Sequence, residues 1–209
     1  MELAKSPLNL IIAGVGGQGN VLASELLATA ATEAGYRAVV GETFGVSQRG
    51  GAVMSHVRVF TGDAVGPLVP RGQADIVVGF EPLEALRVLL DYGHPGARAL
   101  VNRRPSYPLA VLHGEAPYPP PESLAAAIRE ITSETRDFPA TDLAEQAGNY
   151  LAQNLVMLGA LAGTGWIAIP VGTFRSVIAA GFAGEARDLN QRAFALGLAA
   201  ATGEGYSLR

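Results

Sequence analysis

Leu8 to Ala13, LNLIIA, is an apolar run of strand length that passes directly into GVGGQGN and then into a helix-forming stretch with Leu22, Leu26 and Leu27 on neighbouring turns. Strand, glycine turn and helix in that order demand a layered α/β arrangement, since a buried strand and the helix leaving it must each find apolar cover. The helix is predicted from Gln18 to Ala34. Gly35 stands where a helix C-terminal glycine belongs, because only glycine enters the left-handed conformation cheaply, and Arg37 to Gly41 then reads as a second strand.

Gly14, Gly16 and Gly19 spell G-x-G-x-x-G, the spacing with which a dinucleotide-binding domain brings backbone amides and a helix N-terminus to a pyrophosphate. Glu42, ending the second strand, stands about where such a domain holds the ribose hydroxyls. Two features oppose that reading. A dinucleotide domain continues from its second strand into another helical crossover, whereas ETFGVSQRGG leads straight to AVMSHVRVF. There Val53, Ser55, Val57 and Val59 alternate with Met54, His56, Arg58 and Phe60 as a third strand, joined to the second by a shaped loop rather than a parallel crossover. Gln18, moreover, is a hydrogen-bonding side chain that a tight turn does not require. A close strand-to-helix turn with no ligand is the plain alternative.

Further along, TGDAVGPLVPRGQ reads as loop, Asp75 to Phe80 as a buried strand, and Pro82 as the first position of the helix LEALRVLLDYG. RALVN and PLAVLHG read as strands, the PPP run as a surface loop, and LAAAIREITSE as a helix opened at Glu122 or Ser123. Thr141 or Asp142 can cap a long helix reaching roughly to Leu161, with Leu151, Leu155, Leu158 and Ala162 as its apolar stripe. Pro170 opens a helix through Ala180, and Glu185 to Ala201 makes the last one. No repeat or linker cuts the chain, so residues 1–209 are expected to form a single domain. The expected architecture is three-layer α/β/α, with a mixed, mainly parallel sheet and a helical C-terminal third.

Composition removes several function classes. A net charge of −4 without a basic run gives no face for nucleic acid. The absence of cysteine excludes disulfides, thiolate zinc sites, cysteine-ligated iron–sulfur clusters and a cysteine nucleophile. Three dispersed histidines without H-E-x-x-H spacing give no metal site. No charge falls between Glu145 and Arg175, but Gln153, Asn154, the Gly163-Thr164-Gly165 stop and Pro170 make that stretch a buried helix and its exit rather than a membrane span. The start of the chain has too short an apolar run for a secretory signal, so a cytoplasmic location is expected.

Ser47, Gln48, Arg49, Gly50 and Gly51 set a hydroxyl, an amide and a guanidinium beside two unhindered backbone units, a group suited to an anion or carboxylate. An ordinary tight turn with a solvated arginine is the alternative. A nucleophile elbow is rejected: the second glycine comes one position late, no helix follows, and no base for Ser47 can be named.

Taken together, GVGGQGNVLASELLATAATEAGY and ETFGVSQRGGAVMSHVRV resemble the gamma-type catalytic domain of the 2-oxoacid:ferredoxin oxidoreductases, and within it the small, beta-subunit type of the indolepyruvate enzymes. The resemblance continues more weakly through DIVVGFEPLEALR, the helix with Asn154, Pro170 and NQRAFALG. It implies a chain that works with a larger subunit binding thiamine diphosphate, coenzyme A as cosubstrate, and iron–sulfur clusters on the partner that pass electrons to ferredoxin. No cofactor is expected on this chain alone. Carried over, Gly14, Gly16, Gly17, Gln18, Gly19, Gly50 and Gly51 would face the cofactor, and Ser47, Gln48 and Arg49 the reacting groups, with Arg49 as the anion contact. The other readings are a free-standing NAD- or FAD-binding oxidoreductase using Gly14, Gly16, Gly19 and Glu42, and a binding module that kept the fold without the chemistry.

Overall fold

A computed structural model describes residues 3–44, 52–107 and 109–202. β1 (Leu8–Val15) is followed by α1 (Asn20–Glu33), β2 (Arg37–Phe44), β3 (Ala52–Phe60), β4 (Ile76–Gly79), α2 (Pro82–Tyr92) and β5 (Arg98–Asn102). Then come α3 (Leu109–Leu112), α4 (Pro121–Ile131), β6 (Glu134–Phe138), α5 (Ala140–Ala147), a 3-10 turn (Tyr150–Ala152), α6 (Gln153–Gly163), α7 (Val171–Gly181) and α8 (Gly184–Thr202). The strands form one sheet in the order β2-β3-β1-β4-β5-β6. β3 runs antiparallel to both neighbours, and the β1–β4, β4–β5 and β5–β6 pairs are parallel.

Alternation divides the core between the sheet faces. Leu8, Leu10, Ile12, Val57 and Val59 pack with α1 and the C-terminal helices, and Ile11, Ala13 and Val77 pack with α2 and α4. The result is the three-layer α/β/α arrangement, mixed and mainly parallel. α6 is buried along nearly its whole length, which accounts for the uncharged stretch in the sequence. No helix among the described residues is long and apolar enough to cross a membrane.

Several expectations need correction. PLAVLHG is no strand: Leu109–Leu112 forms the short α3, and the place beside β5 belongs to β6. β6, ETRDF, escaped the pattern reading because its polar residues are satisfied by tertiary partners. Asp137 pairs with Arg103 and Arg129 at 2.6 and 2.7 Å, and Glu134 accepts from the Trp166 indole at 3.0 Å. The expected long helix from Thr141 is two helices, since Gly148, at φ 119°, ends α5 and Asn149 restarts the chain by accepting from Leu151 N. α4 begins one residue earlier than read, at Pro121, whose missing amide costs nothing at a first helical position. β2 continues beyond Gly41 to Phe44, so Glu42 lies within a strand.

Candidate functional site

β1, β2, β4, β5 and β6 end, and β3 begins, at one edge of the sheet. The first glycine turn lies there, as do Phe44 and Ala52, the described residues on either side of the second segment. Val15 pairs with Ala52, so the chain leaves β1 for Gly16 directly beside the point where segment 45–51 rejoins the sheet. Ser47, Gln48, Arg49, Gly50 and Gly51 themselves lie outside the described residues.

The first turn is wound around its own side chains. α1 starts at Asn20 rather than Gln18, because Gln18 folds back: its Oε1 accepts from Val15 N at 2.8 Å and its Nε2 donates to the Phe80 carbonyl at 3.2 Å. Gln18 thereby straps the end of β1 to the end of β4. Gly14 ends up inside the strand, where a Cβ would lie 2.5 Å from Gln18 Oε1. Gly19 caps α1 at φ 83°, and a Cβ there would lie 2.6 Å from Asn154 Nδ2. Asn154 is buried, its Oδ1 accepting from Leu155 N at 2.9 Å. Asn20, 3% exposed, donates to the Val53 carbonyl at 3.3 Å, while its buried Oδ1 has no partner among the described residues.

Sequence reasoning missed the remainder of the site. Asn102 Nδ2 donates to the Phe80 carbonyl at 3.2 Å and to Thr141 Oγ1 at 2.9 Å, and Thr141 donates to Gln153 Oε1 at 2.9 Å. Thr141 therefore links β5 to the start of α6 instead of capping α5. A cleft of about 300 Å³ opens above this chain of bonds, lined by Gly16, Gly17, Gln18, Thr141, Tyr150 and Gln153, with Arg104 and Ser106 at its border. Signals were available for Gln18, Gln153 and Asn154, as polar residues inside otherwise small or apolar stretches.

Next to the cleft, Glu81 caps α2 by accepting from Glu84 N at 2.8 Å and accepts the Tyr118 hydroxyl on its other oxygen. Burial pushes the Glu81 carboxyl up, although bonds from Tyr118 and nearby amides oppose this, and burial beside Glu81 pushes the Tyr118 hydroxyl up. A raised carboxyl subtracts stability as pH climbs from its unfolded value through its folded one. Tyr118→Phe removes a bond that favours the charged form, so its destabilisation, about 1–3 kcal/mol at neutral pH, is expected to shrink at pH 4.5. Urea unfolding at the two pH values measures this, and an equal loss at both would refute the coupling.

The geometry does not favour the dinucleotide alternative. β3 separates β2 from β1, and the Glu42 carboxylate accepts from Ser24 Oγ at 3.0 Å and Ser55 Oγ at 2.6 Å. Glu42 thus ties α1 to β3 and cannot serve a ribose beside the first turn.

Comparison with known proteins agrees. The chain is 41% identical over 194 residues to indolepyruvate oxidoreductase subunit IorB of Pyrococcus horikoshii, covering 92% of this chain and 95% of that protein. The IorB of Thermococcus kodakarensis is 40% identical over the same shares. Among solved structures, 2-oxoglutarate:ferredoxin oxidoreductase from Magnetococcus marinus superposes with a TM-score of 0.74 at 25% identity, covering 95% of this chain and 32% of that one. The keto/oxoacid ferredoxin oxidoreductase gamma subunit of Geobacter sulfurreducens shares the fold, with a TM-score of 0.67 at 24% identity over 93% of this chain and 98% of its own. With residues 9–200 matched by the pyruvate ferredoxin/flavodoxin oxidoreductase model, the chain belongs to that family.

Proposed function

We propose that this chain, a subunit of a 2-oxoacid:ferredoxin oxidoreductase, walls the active site of an indolepyruvate-type enzyme through its carboxyl edge and binds there a larger subunit carrying thiamine diphosphate. The reaction is the oxidative decarboxylation of a 2-oxoacid to an acyl-CoA, with electrons leaving through iron–sulfur clusters on the partner to ferredoxin.

The observation that supports this reading is the pairing of Val15 with Ala52, reinforced by the Asn20 bond to Val53, which sets the first glycine turn beside the start of β3. The chain has no thiolate for an iron–sulfur cluster, and in this reading both the clusters and thiamine diphosphate are carried by the partner.

This chain's own residues bind and orient. Gln18 fixes the height of the Gly16–Gly17 turn above the sheet, and the buried Asn20 Oδ1 offers an acceptor near the start of β3. Ser47, Gln48 and Arg49 supply polar contacts to the reacting groups, and Arg49 takes the anion. Arg49→Ala is expected to lower turnover of the reconstituted complex by about 10–100-fold, the worth of one charge-assisted hydrogen bond. Unchanged turnover would remove Arg49 from that role.

A further inference from the structure

The cleft beside the glycine turn carries donors that nothing in the described chain uses. Gly16 and Gly17 have no hydrogen bond to their amides among the described residues. Gln153 is only 7% exposed; its Oε1 is taken by Thr141 and Asn102, while its amide nitrogen has no partner among the described residues. A carboxamide held so firmly by its oxygen presents its NH₂ in a fixed direction, and its residue lines the cleft.

Electrostatics point the same way. Tyr150 begins the 3-10 turn that runs into α6, Thr141 is the second residue of α5, and Gln18 lies two residues before α1, so three helical N-termini border one cavity. Each contributes a partial positive charge that favours an anion. Arg104 at the border is already shared, its Nη1 lying 3.0 Å from Glu145 and 3.7 Å from Asp142. With that guanidinium opposed by two carboxylates, the cleft suits one small anionic group rather than a polyphosphate.

We propose that this cleft is an oxyanion site, in which the Gly16 and Gly17 amides and the Gln153 carboxamide NH₂ hold one carboxylate or phosphate group. The proposal rests on reading this edge as the active-site wall, and it names Gln153 as a binding residue. A carboxylate would come from a 2-oxoacid, a phosphate from a cosubstrate or cofactor.

The test is an NMR titration of the full chain, labelled with ¹⁵N in glycine and glutamine, with pyruvate and separately with inorganic phosphate. Saturable shifts of the Gly16 and Gly17 amides and the Gln153 side-chain NH₂ are expected, and the probe with the lower Kd identifies the source. Gln153→Glu keeps an oxygen for Thr141 and Asn102 but replaces the donor with a negative acceptor, and is expected to raise Kd at least about tenfold. Absence of saturable shifts in the unmodified chain with both probes overturns the site, whether or not the variant folds. An unchanged Kd in a folded Gln153→Glu chain overturns the role of Gln153. Because no partner is present, the outcome is independent of the Arg49→Ala assay on the complex.

Discussion

Gly197→Ala is expected to destabilise the fold by about 3 kcal/mol or more, with a melting temperature roughly 6–12 °C lower in a chain of this length. α6 and α8 cross at two glycines. A Cβ on Gly197 would lie 1.9 Å from the Val156 carbonyl oxygen, and a Cβ on Gly159 2.0 Å from that of Phe194. Both obstacles are helix backbone, so no rotamer change relieves them. The helices must separate, and separation pulls Phe194 and Val156, both fully buried, out of close packing. Gly159→Ala is expected to behave alike. Gly172→Ala is the control: it lies in α7 with nothing within 4 Å of its Cβ position, so helix propensity alone acts and gains up to about 1 kcal/mol. Thermal unfolding followed by circular dichroism checks all three, and a Gly197→Ala melting temperature equal to that of the parent would show that the crossing yields. The crossing also bears on function, because α6 begins with Gln153 and Asn154 at the glycine turn.

What could be read in the sequence was what short stretches decide for themselves. Leu8 to Ala13 is apolar except for Asn9, Gly35 stops a helix, and no helix-forming run separates Phe44 from Ala52; these set β1, α1 and the reversed β3. β6 was hidden because its charges find partners only once the chain is folded: Asp137 meets Arg103 and Arg129 after β5 and α4 have been placed. Burial pushes the Asp137 carboxyl up, and the bonds from those two arginines overcome this and hold it low. The break at Gly148 was hidden by the helix-like spacing on either side of it. At the site, glycines and Gln18 marked the turn, but Phe80, Asn102, Thr141 and Gln153 are ordinary residues from distant parts of the chain. Their meeting is a product of strand order, which no local pattern encodes. Glu42 shows the converse, a residue at a suggestive distance whose carboxylate the sheet topology turns to a different use.

Gln18→Ala tests whether the strap between β1 and β4 sets activity. Two bonds are lost together: Val15 N loses its acceptor, and the Phe80 carbonyl keeps only Asn102. The expected cost in stability is about 1–3 kcal/mol, the worth of a buried polar group left unpaired. Turnover of the reconstituted complex should fall further, by about 100-fold, since a turn displaced by an ångström misplaces every amide it presents. The loss should fall mainly on kcat if the turn meets the reacting groups, and on KM if it only helps to bind substrate. Gln18→Glu separates strap from bulk: it keeps an acceptor for Val15 N but sets an oxygen against the Phe80 carbonyl, so a donor is lost with no change of volume. If the strap matters, Gln18→Glu resembles Gln18→Ala in turnover although the volume is unchanged. Turnover within twofold of the parent in both variants would mean that the Gly16–Gly17 turn holds its position without Gln18, and the wall would then owe its geometry to the partner subunit.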